Sequence, residues 1–192
     1  MNHHPLFLSV LLLSLVGGCA TGPSSQQQAA MAEEARKTAG VLVQQLGGEL
    51  KQALGAQGPD GAIAVCKQKA PAIAASLSQS SNFEVKRVSP KNRNPKGMSD
   101  AWELEAQAAL EKRLAAGEKP ENLDTWQVVK TSNGNEFRYA KALITQPLCL
   151  TCHGENIGDG IKVRLADEYP NDKAIGYSVG MVRGIISIRR KL

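Results

Sequence analysis

Cys149-Leu150-Thr151-Cys152-His153 follows almost directly on Glu136–Ile144, a stretch with the composition of a β-strand. How these five residues are read decides the rest. C-x-x-C-H is the attachment pattern of c-type haem. Two thiols at this spacing add to the two vinyl groups of one porphyrin, and the neighbouring histidine is held under the iron as its proximal ligand. Two other chemistries use similar spacing. A thioredoxin-like pair wants C-x-x-C at a helix start near a βαβ unit. Here Gly154, Gly158 and Gly160 follow, with little helical pattern. Structural zinc wants four tetrahedral ligands. Cys66, Cys149, Cys152 and His153 have the right chemistry, but adjacent Cys152 and His153 can hardly both reach one small ion. The pattern therefore points to one covalent haem c, with Cys149 and Cys152 as attachment residues and His153 on the iron.

The chain is long enough, at 192 residues, for one domain with its own core and no disulfide staples. Its formal net charge of +5 is spread along the sequence, and no dense basic run interleaved with aromatics occurs. That argues against nucleic acid as a partner. Two haem propionates would use some of the positive charge.

Residues 1–18 have the anatomy of an export signal. Leu6 to Val16 is nearly all apolar but too short to span a bilayer as a mature helix. Leu15-Val16-Gly17-Gly18-Cys19 resembles the lipobox of bacterial lipoproteins, which implies a lipidated Cys19 as the mature N-terminus. The alternative is a plain secretory signal, since Met1 to Pro5 holds no Lys or Arg. Ala20, rather than Asp, after the cysteine implies the outer membrane in Gram-negative bacteria. The expected location is thus extracytoplasmic, on the periplasmic side, anchored by lipid. Export suits a c-type site, because such haem is attached outside the bacterial cytoplasm.

Residues 19–30 are polar and low in complexity, so they are expected to form a flexible tether before a domain spanning 31–192. From Met31 to Leu54, Ala35, Ala39, Leu42, Leu46 and Leu50 recur at helical spacing, and Gly55, Gly58 and Pro59 should end that helix. Asp60 then looks like the N-cap of a second helix, with Ile63, Cys66, Ala70, Ile73 and Leu77 on one stripe and Pro71 kinking it or restarting a turn. Phe83–Val88 reads as a strand, Ser89–Ser99 as a basic, turn-rich loop, and Asp100–Ala116 as a helix. In the loop, Arg93 or a neighbouring lysine is a candidate to pair with a propionate or to fix the loop. Trp126–Lys130 and Glu136–Ile144 read as a hairpin around Asn133-Gly134. A sheet edge would then deliver the Cys149 segment. Residues 154–175 are expected to be mostly loop, and Tyr177–Arg190 a last strand in which Gly180 and Gly184 mark a bulge or a close backbone approach. Helices first and antiparallel strands after give an α+β class.

Once His3 and His4 leave with the signal, His153 is the one histidine of the mature chain, so two-histidine ligation within one subunit is excluded. The remaining donors for the sixth iron position are Met31, Met98, Met181 and Cys66. Methionine raises the potential and thiolate lowers it. Lys67 and Lys69 flank Cys66 and would favour its thiolate. From spacing alone Cys66 is equally a buried structural thiol.

Ala62-Ile63-Ala64-Val65-Cys66 with Ala70-Pro71-Ala72-Ile73 resembles the opening of the Tll0287-like domain family. Arg87-Val88-Ser89, Arg93-Asn94-Pro95 and Asp100-Ala101-Trp102-Glu103 resemble its next segment. Cys149 to Gly154, Tyr169-Pro170-Asn171-Asp172, Gly176-Tyr177, Gly180 and Arg183-Gly184-Ile185 resemble its end. The resemblance runs in order over roughly residues 35–190, with Lys96 to Ser99 departing from the family's usual loop. It implies a PAS-like antiparallel sheet flanked by N-terminal helices, one c-type haem, and iron held between His153 and Cys66. The expected function is redox sensing or electron transfer with a redox or signalling protein as partner, not catalysis. A haem-based gas sensor, a peroxidase-like enzyme and a pure binding module are the alternatives.

Overall fold

A computed structural model describes residues 22–192. The export signal and the lipidation candidate Cys19 lie outside the described residues.

Helix α1 spans Ser25–Ala64. It opens on a capping box: the Gln27 N–H donates to Ser24 Oγ, and the Ser24 N–H donates to Gln27 Oε1 at 2.8 Å. Of the flexible tether expected over 19–30, the part from Ser25 onward is corrected. Residues 25–30 are helical, because Ser-x-x-Gln satisfies the first orphan N–H groups and Met31 and Ala32 are already buried against the sheet. Gly58 breaks the helix at φ 63°, ψ −156°, where only glycine is unstrained, and Pro59 restarts it. Asp60 is thus not an N-cap. It lies inside the helix.

Val65–Lys69 is a π-turn, and α2 follows over Ala70–Ser80. Pro71 sits in the first turn of α2. In an uninterrupted α-helix its ring would press on the Lys67 carbonyl. Widening the preceding turn, so that the Ala70 N–H reaches back to the Val65 carbonyl, relieves that contact. Cys66 lies in this widened turn.

Four antiparallel strands form one sheet in the order β1-β4-β3-β2: β1 Glu84–Val88, β2 Asp124–Thr131, β3 Gly134–Ile144 and β4 Val182–Lys191. The β2–β3 hairpin closes through Ser132-Asn133, one residue earlier than Asn133-Gly134, with Gly134 at φ 108° as the first paired residue. Side-chain alternation splits the core between the two faces. On one face α1 and α2 pack on Val85, Phe137, Tyr139, Ile186 and Ile188. On the other, α3 (Ala101–Ala115) sets Ala106 and Leu110 against Val88, Ala140 and Ile185. Each fully buried large side chain here contributes about 1.5–3 kcal/mol. The result is the expected α+β architecture, an antiparallel sheet flanked by helices.

Two expectations change at the C-terminal end. Residues 154–175 are not mostly loop, since α5 covers Asp159–Glu168 and packs Leu165 with Ile63, Ile157 and Tyr169. The last strand begins at Val182 rather than Tyr177, because Gly180 at φ 91° turns the chain and its N–H is taken by the Thr145 carbonyl. Gly184 makes the close approach its identity implied: a Cβ there would stand 2.5 Å from the Val88 carbonyl oxygen. A register shift between Leu143 and Ile144 lies opposite.

Candidate functional site

β3 is an inner strand, so the Cys149 segment leaves the end of an inner strand rather than a sheet edge. After Thr145 the chain makes a 3-10 turn over Pro147–Cys149 and one helical turn, α4, over Leu150–His153. These turns face a cleft partly open to solvent. Leu46, Leu50 and Leu54 of α1 roof it with apolar surface, and Cys66, Cys149, Cys152 and His153 all line it. Four residues separated by up to 87 positions of sequence are thereby brought to one place.

His153 is buried, and its ring is fixed. Nδ1 lies 2.7 Å from the Ala174 carbonyl oxygen. A carbonyl only accepts, so Nδ1 carries the proton and the Nε2 lone pair is left for a ligand. Tyr177 meets the ring edge-on at 6.4 Å between centroids, and its N–H donates to the His153 carbonyl at 2.9 Å. Burial, with the charges of Arg183 and Arg93 nearby, pushes the imidazole pKa down to about 2. The ring is neutral at any working pH, which is the state a metal ligand needs.

Arg93 organises this corner. Its Nε donates to Asp172 Oδ2 at 2.9 Å, and its Nη2 donates to the Cys152 and Ala174 carbonyls. The loop after β1 is thus tied to the Cys-x-x-Cys-His turn and to the acceptor that orients His153. Of the two roles open to Arg93, fixing the loop is the one the geometry displays.

All three described cysteines are free. Burial raises the Cys152 thiol, with Arg93 opposing. A nucleophilic redox pair needs the reverse, a thiolate stabilised below its usual range. Among the described residues no three His, Cys, Asp or Glu side chains converge as a metal cluster, so the four-ligand zinc arrangement is not formed.

Of the candidate sixth ligands, only Cys66 lines the cleft. Met31 is in the core beneath α1, and Met98 and Met181 are exposed. Lys67 and Lys69 do not attend Cys66: Lys67 pairs with Glu168 and Lys69 with Glu49. The cations that line the cleft are instead Arg87, Lys91, Arg93 and Arg183, of which Arg87 and Arg183 stand on strands β1 and β4. The sequence reading missed both as site residues. Half-buried arginines on strands carry no spacing signal that separates them from solvated charges.

The cleft suits a large, flat, mostly apolar group with a few charged edges, held by two thiols and one or two axial donors. The whole chain can be placed on the same ground. It belongs to the Tll0287-like family, whose sequence profile matches residues 24–190. Among solved structures it is similar to the cyanobacterial heme-protein Tll0287, at 18% identity and a TM-score of 0.61, over 86% of this chain and 95% of that one. No curated protein matches the chain.

Proposed function

We propose that this is a c-type monohaem protein acting in redox sensing or electron transfer outside the cytoplasm, lipid-anchored through Cys19. The observation that carries the haem reading is the convergence of Cys66, Cys149, Cys152 and His153 on one apolar cleft. The similar solved structure is that of a heme-protein, which supports it. Bound haem supplies an iron centre that gains and loses one electron.

The chain's own residues define the rest. Cys149 and Cys152 would hold the haem through their thiols. His153 presents Nε2 while Ala174 holds Nδ1–H, and the Leu46, Leu50 and Leu54 roof limits water. Cys66, from the π-turn, would be the second donor to the iron. A peroxidase-like reaction would need a distal acid/base group. Tyr169 in the cleft is pushed up to about 12 by burial and by Cys66, so it holds its proton too firmly for that work. A redox or signalling protein is the partner, reached across the exposed side of the cleft. No helix among the described residues is long and apolar enough to cross a membrane. In this reading the acyl chains on Cys19 would hold the protein to the membrane.

The test is expression in a host with cytochrome maturation, then denaturation and acidic organic extraction. Colour that stays with the polypeptide supports covalent attachment, and colour that leaves or never forms ends this reading. Cys66→Ala should change the ferric low-spin spectrum. An unchanged spectrum removes Cys66 as ligand. Carbon monoxide binding to the reduced wild type would favour the gas-sensing version.

A further inference from the structure

Two arginines in the cleft have no answering charge. Every other arginine among the described residues, Arg93 included, forms an ion pair with Asp or Glu. Arg87 and Arg183 form none, and neither guanidinium donates a hydrogen bond to a described residue. Both line the cleft beside Cys66 and His153. Burial, then the Arg183 charge, push the Arg87 guanidinium down from its ordinary value, yet an arginine does not give up its proton in a protein. Two like charges in a half-buried cleft are unfavourable unless an anion joins them.

The backbone holds this arrangement firmly. Arg87 stands on β1 opposite Ile186, with its neighbour Val88 opposite Ile185. Arg183 precedes Gly184, whose lack of a side chain lets β4 press against the Val88 carbonyl. The Arg183 carbonyl accepts from Ser89 Oγ at 2.8 Å and from the Tyr177 hydroxyl at 3.2 Å. The pair is thus pre-organised by sheet pairing and not by a flexible loop.

We propose that Arg87 and Arg183 are an anion anchor for the carboxylates of the macrocycle, the two haem propionates. The proposal rests on the haem reading for the identity of its ligand. The planar guanidinium fork matches a carboxylate in bidentate geometry. Of the residues the sequence offered for this role, Arg93 is already engaged by Asp172 and two carbonyls, and the neighbouring Lys91 donates to the Ile175 carbonyl. The division of labour is clear: Arg93 orients the proximal side, and Arg87 with Arg183 neutralises the ligand's acidic edge.

The experiment isolates the carboxylate contacts from the thiols and the iron. The full chain is made without haem maturation and titrated with metal-free mesoporphyrin, followed by fluorescence. This probe has saturated side chains that form no thioether and no metal to draw His153 or Cys66. Its dimethyl ester is the control. The wild type should favour the diacid over the diester by roughly tenfold or more, as expected for charge-assisted hydrogen bonds. Arg87→Gln/Arg183→Gln should lose that preference while keeping its far-ultraviolet circular dichroism, and the double lysine variant should keep part of it. Should the double variant not fold, each single glutamine variant should lose part of the preference. Equal binding of diacid and diester by the wild type, binding of neither, or a preference that survives in the folded double variant overturns the proposal. Failure of haem attachment with the diacid preference intact would remove the covalent reading and leave the anchor standing. Attached haem with no diacid preference would do the opposite.

Discussion

Replacing Arg93 by methionine keeps an unbranched stem beside Tyr169, whose ring centroid lies 5.9 Å from the guanidinium carbon, and removes only the charge and the donors. The Arg93 and Asp172 side chains are 10% and 12% exposed, so this pair is close to fully desolvated. Removing one partner of such a pair costs about 3–5 kcal/mol, mainly through the charge left behind. Two details place Arg93→Met near the low end. Asp172 Oδ1 still accepts the Ala174 N–H at 2.8 Å, and the Ala174 carbonyl keeps the His153 proton. The Cys152 carbonyl loses its Arg93 donor, worth about another 1 kcal/mol. The expected loss is about 3–4 kcal/mol, or roughly 6–16 °C in Tm for a domain of this size. Urea unfolding should show a lower midpoint with unchanged slope. Solvent exchange of the His153 Nδ1 proton should quicken, because its acceptor is no longer clamped. Asp172→Asn combined with Arg93→Met should cost less than the two single changes added together. A single variant within about 1 kcal/mol of wild type, or strict additivity in the double, would refute the clamp.

Gly184→Ala should destabilise by about 1–3 kcal/mol, since the added methyl meets the Val88 carbonyl and a strand must move. Chemical denaturation measures it, and a neutral result would mean β1 and β4 are not so close. Asp100 gives a pH dependence. Burial pushes its carboxyl up, but the Glu103 N–H and Arg138 together outweigh this and hold it below its ordinary value. A carboxylate lowered in the folded state adds stability above its unfolded pKa of about 3.9, and that stability is lost as pH falls through the lower folded value. Asp100→Ala should therefore cost about 1 kcal/mol at neutral pH as a lost N-cap and flatten the acid limb below about pH 4. The side chain is 42% exposed, so the flattening is modest, and an unaltered acid limb would contradict the assignment.

Strong local patterns were legible. The helical stripe from Ala35 to Leu42, the strands β1 and β3, and the helix expected over Asp100–Ala116 all appear where the pattern put them. What was not legible lay where local chemistry competes with composition. Ser24 and Gln27 sit in a stretch that reads as linker, although their spacing is a capping box. Gly158 and Gly160 masked α5, yet Gly158 is its N-cap and Ile161 and Leu165 lie four apart. At Cys66 a simple stripe points the thiol into the core. The π-turn caused by Pro71 shifts that register and leaves Cys66 half-buried at the cleft. Arg87 and Arg183 stand in stretches that carry the family resemblance, but their meeting was not legible, because pairing a strand near the middle of the chain with the last one is a long-range event.

The placement of β4 also bears on how the protein is made. It is the last element described, yet it lies between β1 and β3 and pairs with both. During synthesis, Cys149 and Cys152 therefore emerge while the sheet has no centre, and β1 waits unpaired for a strand nearly one hundred residues away. The two thiols stay accessible until residues 182–191 arrive and bring the two halves together. A nascent chain stopped short of β4 would expose both flanking strands and be a ready substrate for proteases.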